Sequence, residues 1–221
     1  MDQINLNIDN NGFKKLDGNF FGLKNDMLKD FESVYENKKF RNNTYKNTSI
    51  ISQLEDLKKF QEVKLLYNKI NQIFLFNNIT NLEFDDIWFV KSVEEIYEPS
   101  KLPYVPHIDK IRKLKVMIYL NDVEIEDGPL FIIKTKPSRY ENFRKKLKPD
   151  YKIRQENEIK DLKIEDYFPL KGKFGTAIVF DTNTPHFAGK LHHKNSLRKI
   201  IRFNFRLKSE NFIKSFVKNL F

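Results

Sequence analysis

Two side chains in the stretch PHIDKIRKLKVMIYLNDVEIEDGPLF, His107 and Asp109, stand one residue apart just ahead of an apolar run. In an extended chain alternate residues face the same side, about 7 Å apart, so both can reach into one cavity. An imidazole nitrogen and a carboxylate oxygen are both ligands for a divalent ion. The chain has four histidines, and the others are His186, His192 and His193. His186 lies in FDTNTPHFAG, straight after the apolar run GTAIVF, where a strand end can carry it across to the first pair. His192 and His193 read as loop residues.

Two histidines and one carboxylate on one face of an octahedral ion leave three positions open, the arrangement of non-haem Fe(II) oxygenases. Closed structural sites use four ligands, usually with thiolates. This chain has no cysteine, which removes thiolate sites and disulfides alike. A His-x-Asp tripeptide alone is a weak signal, and a histidine beside a turn is more often a surface residue. The ordered set is more specific: the pair before one strand, a distal histidine after a later strand, then an arginine-rich strand.

In that last strand, RKIIRFNFRL, alternation puts Arg198, Ile200, Arg202 and Asn204 on one face, with Lys199, Ile201, Phe203 and Phe205 on the other. A guanidinium facing inward needs a partner, because a lone buried one is costly. A dicarboxylate ligand supplies it through a forked contact. An internal salt bridge or an exposed edge strand are the alternatives.

The elements that must position these groups come in two blocks. In NDMLKDFESVYENKKF, Met27, Leu28, Phe31, Val34 and Tyr35 fall at helical spacing. A second helix is expected from Ser52, where SQLE resembles a capping box, with Leu54, Leu57 and Phe60 on one stripe, running on with or without a break through Leu66, Ile70 and Ile73. From about residue 81 the period shifts. DIWFVKSV, LKVMIYL, PLFIIKT, GTAIVFD and RKIIRFNFRL are short, rich in β-branched and aromatic residues and bounded by turn residues. EDGP, Glu126–Pro129, is expected to turn a hairpin between two of them. Residues 137–170 form a charged insert, partly helical around ENFRKKL, and SENFIKSFVKNLF reads as a closing helix. Helices first and strands afterwards predict one α+β domain, with a helical part to about residue 80 and an antiparallel sandwich or barrel over about 81–208.

The chain has 221 residues, enough to bury a core without staples, and its 21 phenylalanines argue against disorder. Its longest apolar runs are too short to span a bilayer, and MDQINLNIDNNGFKK has no signal-peptide stretch, so an intracellular, cytoplasmic protein with no membrane partner is expected. A net charge of +10 suggests nucleic acid. The basic residues are mixed with acids, however, as in YKIRQENEIKDLKIEDY, within a Lys-, Asn- and Ile-rich sequence of the kind an AT-rich genome encodes.

From PHID through VMIYLNDVEIEDGPLFII to GTAIVFDTNTPHFAG and RKIIRFNF, the chain resembles the phytanoyl-CoA dioxygenase-like family of Fe(II)/2-oxoglutarate oxygenases. The amino-terminal third is similar only loosely, through GFKKLDGNF and the helix after it. The resemblance implies a double-stranded β-helix, the jelly-roll, cupin-like core, with N-terminal helices packed on it. It implies Fe(II) held by His107, Asp109 and His186, with 2-oxoglutarate and O2 as co-substrates and a small-molecule substrate. The distal carboxylate of 2-oxoglutarate would fall to Arg198, with Arg202 in reserve, and Tyr119 and Thr176 are candidate hydroxyl donors to it. Asp109 is retained where halogenating relatives carry a small residue, which points to hydroxylation or a related C–H oxidation. Where relatives often read Pro-Gly-Ser-His after the GPL strand, this chain has KTKPSRY, and the insert that follows is either a lid or a solvated loop.

Three other readings stand beside this one: a jelly roll that binds a ligand without chemistry, a cupin-type metal enzyme without 2-oxoglutarate, and a basic nucleic-acid-binding module. Trp88 either lines a pocket or is a core aromatic.

Overall fold

The computed structural model describes residues 4–41, 48–93, 102–148, 157–193 and 196–208. In chain order the elements are α1 (Ile8–Asn11), β1 (Phe13–Leu16), α2 (Asp26–Glu36), β2 (Thr48–Ile51), α3 (Leu54–Leu57) and α4 (Gln61–Phe76). Then come β3 (Leu82–Val93), β4 (Lys113–Tyr119), β5 (Leu130–Ile132), α5 (Glu141–Lys145), β6 (Phe168–Leu170), β7 (Ala177–Asp181), β8 (His186–Ala188) and β9 (Leu197–Leu207). The closing helix expected over SENFIKSFVKNLF lies outside the described residues.

Among the described residues six strands form one antiparallel sheet in the order β1-β7-β4-β9-β3-β2, and three form a second, β6-β5-β8. Alternation along each strand divides the large sheet's side chains between two cores. On the outer face Ile87, Phe89, Val116, Ile118, Val179, Ile201, Phe203 and Phe205 join Met27, Phe31 and Val34 of α2 and Val63, Leu66 and Ile70 of α4. On the inner face Met117, Tyr119, Ile178, Phe180 and Ile200 meet Leu130, Ile132 and Leu170 of the small sheet. Two sheets closed over an inner core, with helices on the outside of one, make the jelly-roll, double-stranded β-helix arrangement in an α+β setting.

Aromatic rings form the outer joint. Tyr67 of α4 stacks on Phe205 at 6.3 Å, and Phe74 meets the same ring edge-on at 5.1 Å. Each fully buried ring of this kind is worth about 3–5 kcal/mol on truncation to alanine. Asn77, at the end of α4, accepts from the Leu6 amide and donates to the Ile4 carbonyl, which ties down the start of the described chain.

Several local expectations are corrected. The first eighty residues are not all helical: β1 and β2 extend the large sheet at its two edges, pairing with β7 and β3. Both are four residues long, too short for alternation to stand out in the sequence. The SQLE box does not form, because the residue capping α3 is Gln53 without a side-chain bond. Of the two courses left open for the second helix, the broken one is observed: α3 ends at Leu57, and α4 starts afresh at Gln61. EDGP does turn, with Gly128 at φ 63°, but β4 and β5 on either side belong to different sheets, so it is a crossover and not a hairpin.

Part of the insert is packed on the sandwich where it is described, while most of residues 141–148 and 160–166 are half-buried or exposed. Tyr140, Leu162 and Tyr167 pack with Ile133 on the outer face of the small sheet, over Phe131 and Phe187, whose rings stack at 4.8 Å. No helix among the described residues is long and apolar enough to cross a membrane.

Candidate metal centre

The segment bearing His107 is bonded on both sides. On one side the His107 amide donates to the His186 carbonyl at 3.1 Å, and the His186 amide returns to the His107 carbonyl at 2.9 Å. On the other, the Ile108 amide donates to Asn157 O at 3.2 Å and the Ile159 amide to Pro106 O at 2.9 Å. The Asn157 side-chain amide adds a bond to the Ile108 carbonyl at 2.8 Å. Residues 157–159 of the insert thus act as an added strand beside the histidine-aspartate pair. The Asp109 amide donates to Thr182 O at 3.0 Å, at the Lys113 end of β4.

These restraints bring His107, Asp109 and His186 together as a buried group. One ligand atom from each lies within 4.8 Å of the others. Asp109 Oδ1 is 3.8 Å from His107 Nε2 and 3.9 Å from His186 Nε2. Nδ1 of His107 sits 2.7 Å from the Val105 carbonyl, and Nδ1 of His186 sits 2.8 Å from that of Thr184. A carbonyl only accepts, so in the neutral rings the proton is on Nδ1 and the Nε2 atoms keep their lone pairs for a ligand, the usual support for a metal-binding imidazole.

Electrostatics put each ligand in its binding form. Burial is the main force lowering both imidazole pKa values, that of His186 furthest, so the rings are neutral near pH 7. For Asp109 burial acts to raise the pKa, but Lys115, His186 and His107 outweigh it and hold the carboxyl well below the usual range. Lys115 Nζ is 2.5 Å from Asp109 Oδ2. Its own pKa is pushed down to about 8, by burial first, with Asp109 opposing. Two neutral nitrogens and one carboxylate oxygen converging on a point suit a divalent ion with open positions.

The two arginines share the inner face of β9, where Arg198 pairs across with Ser92 and Arg202 with Trp88. Arg198 is 6% exposed, and its Nη2 reaches Ser92 Oγ at 3.4 Å. Among the described residues its Nε has no hydrogen-bond partner. Arg202 is half-buried, with Cζ 4.2 Å from the centre of the Trp88 ring. That contact places Trp88 on the inner face.

Tyr119 requires a correction. Its hydroxyl donates to the Leu170 carbonyl at 2.7 Å and accepts from the Leu130 amide at 3.2 Å, so its one proton is unavailable to a carboxylate. Thr176 is buried in the turn before β7, its side chain so close to Gly172 that a Cβ there would fall 2.5 Å from Thr176 Oγ1. His192 and His193 are exposed and stand apart from the triad.

Two residues escaped the sequence reading. Lys115 had a visible signal, a lysine on the inward phase of a strand buried at six of its seven positions. Asn157, inside a charged run, had none.

No family model matches the chain, and no curated protein matches it in sequence. Solved structures match it in fold. The epimerase SnoN, in complex with Fe3+, alpha ketoglutarate and nogalamycin RO, superposes with a TM-score of 0.59 at 12% identity, over 90% of this chain and 80% of that one. The non-heme alpha ketoglutarate dependent carbocyclase SnoK from nogalamycin biosynthesis gives 0.58 at 13%, over 94% and 87%. EvdO2 from Micromonospora carbonacea var. aurantiaca, complexed with 2-oxoglutarate, gives 0.59 at 15%, over 90% and 88%. At these identities the likeness is one of fold, and it agrees with the jelly-roll core.

Proposed function

We propose that the chain is an Fe(II)- and 2-oxoglutarate-dependent dioxygenase, of the phytanoyl-CoA dioxygenase-like kind, that hydroxylates an unactivated C–H of a small organic molecule. The observation that carries this is the buried triad, with two Nε2 lone pairs and one carboxylate oxygen facing one point. His107, Asp109 and His186 would hold the iron. Arg198 would take the distal carboxylate of 2-oxoglutarate, since it is the deeper of the two inward arginines and no carboxylate among the described residues pairs with it. A buried guanidinium without an anion is costly to the fold, and a forked carboxylate contact removes that cost. This feature favours 2-oxoglutarate chemistry over a cupin-type metal site that does not use it.

When bound, the iron couples the oxidative decarboxylation of 2-oxoglutarate by dioxygen, to succinate and carbon dioxide, to insertion of the remaining oxygen atom into the C–H bond. The chain's own work is positional: it holds the ligands in their binding protonation states, anchors the co-substrate and keeps water from the reacting carbon. Retention of the Asp109 carboxylate supports hydroxylation. The SnoN and SnoK structures support a small-molecule substrate.

The test is incubation with Fe(II), ascorbate and 2-oxoglutarate against a metabolite extract, following succinate and product masses raised by one oxygen atom. The His107→Ala variant should lose succinate release while its far-UV circular dichroism is unchanged. Full turnover in that variant would defeat the assignment.

A further inference from the structure

We propose that Lys115 is a positioning residue that confines Asp109 to one metal-facing oxygen and so keeps the last coordination position open for dioxygen. The inference rests on the functional reading above and goes beyond it. The two carboxylate oxygens of Asp109 have different surroundings: Oδ1 faces both imidazole Nε2 atoms, at 3.8 and 3.9 Å, while Oδ2 lies 2.5 Å from Lys115 Nζ. Lys115 comes from the inner face of β4, is 6% exposed, and carries its ammonium 5.9 Å from the Phe180 ring centre.

Coordination arithmetic gives this contact a consequence. An octahedral ion held by two imidazoles and one carboxylate oxygen has three positions left, and a chelating 2-oxoglutarate fills two of them. Were Asp109 to chelate through both oxygens, the co-substrate would fill everything that remained. Bringing Oδ2 onto the metal would set the ion and the buried Lys115 ammonium, two cations, in competition for one oxygen and draw Oδ2 away from Lys115, which is unfavourable in a buried place. Lys115 therefore acts on the metal through Asp109 and needs no contact with substrate. The sequence places it there simply: two-residue alternation puts it inward with Met117 and Tyr119, while Val116 and Ile118 face the helices.

The test compares Lys115→Met and Lys115→Arg with the wild-type chain, using nitric oxide as a probe of the open position. Fe(II) and 2-oxoglutarate affinities are measured by anaerobic titration, and nitric oxide binding by electron paramagnetic resonance. In Lys115→Met, 2-oxoglutarate affinity should stay near wild type while nitric oxide affinity falls about 10- to 100-fold, on the scale by which metal affinity or activity falls when an outer partner of a metal ligand is lost. Lys115→Arg, which restores a cation to Oδ2, should recover most of it. Unchanged nitric oxide binding in a folded Lys115→Met protein overturns the proposal and leaves the functional reading intact. Loss of 2-oxoglutarate affinity with nitric oxide binding preserved also overturns it, and makes Lys115 a co-substrate contact instead. A wild-type chain that binds neither Fe(II) nor 2-oxoglutarate removes the functional reading, and this inference with it.

Discussion

His107 and His186 are a backbone-paired couple: each amide donates to the other's carbonyl, and their rings stand 4.5 Å apart between centroids. Backbone pairing therefore ties these two distant parts of the chain together.

Metal removal should therefore leave the fold in place. Treatment with a chelator is expected to keep the near-UV circular dichroism and lower the melting temperature only through mass action, about 2.7 kcal/mol for an ion supplied at a hundredfold its Kd. Loss of cooperative unfolding in calorimetry of the chelated protein would show instead that the ion organises the core.

Arg198→Met should separate stability from binding. Removing a buried guanidinium that has no carboxylate partner among the described residues should leave the metal-free protein unchanged or stabilise it, by up to about 1–4 kcal/mol. The same change should weaken 2-oxoglutarate binding by about 2–5 kcal/mol, as for truncation of one member of a buried charged pair. Thermal melts and calorimetric titration read the two effects independently. A variant that binds 2-oxoglutarate normally transfers the role to Arg202.

Asn157→Ala tests the insert as a support for the metal strand. It leaves the Ile108 carbonyl without its side-chain donor in a fully buried place, at a cost of about 1–3 kcal/mol. Mn(II) affinity should fall by about tenfold at most, far less than for Asp109→Ala. If affinity and melting temperature both stay at wild-type values, the added strand has no part in holding the site.

Acid should destabilise the metal-free protein earlier than a surface histidine would imply. Burial lowers both imidazole pKa values, so the unfolded chain binds more protons than the folded one below about pH 6.5. Stability then falls as pH drops through about 6.5 toward the depressed folded values, and His186→Gln should flatten that slope. Melting temperatures from about pH 8 to about pH 5 decide the matter, and parallel curves for the two proteins would contradict it.

The inner machinery was legible in the sequence because it obeys short periodicities. Alternation along one strand set Arg198 and Arg202 on the face opposite Phe203 and Phe205, and His107 and Asp109 share a side for the same reason. What escaped depends on long-range pairing. β1 and β2 gain their identity only from β7 and β3, and Asn157 matters because of the strand it lies beside. The crossover at Gly128 looked like a hairpin since turn chemistry is local; which sheet each flanking strand joins is not. A Cβ on Gly128 would meet the Gly189 carbonyl oxygen at 2.4 Å, so the glycine there answers a distant neighbour as well as the turn.

The hydroxyl of Tyr119 joins the two layers of the sandwich, since Tyr119 belongs to β4 while Leu130 and Leu170 belong to the small sheet. This rivet sits at the far end of β4 from Lys113, the end beside which Asp109 is fastened to Thr182. The two layers can part at that rim only by breaking both of its hydrogen bonds. Tyr119→Phe would cut the rivet, and faster hydrogen exchange at the Leu130 amide would register the loosened seam.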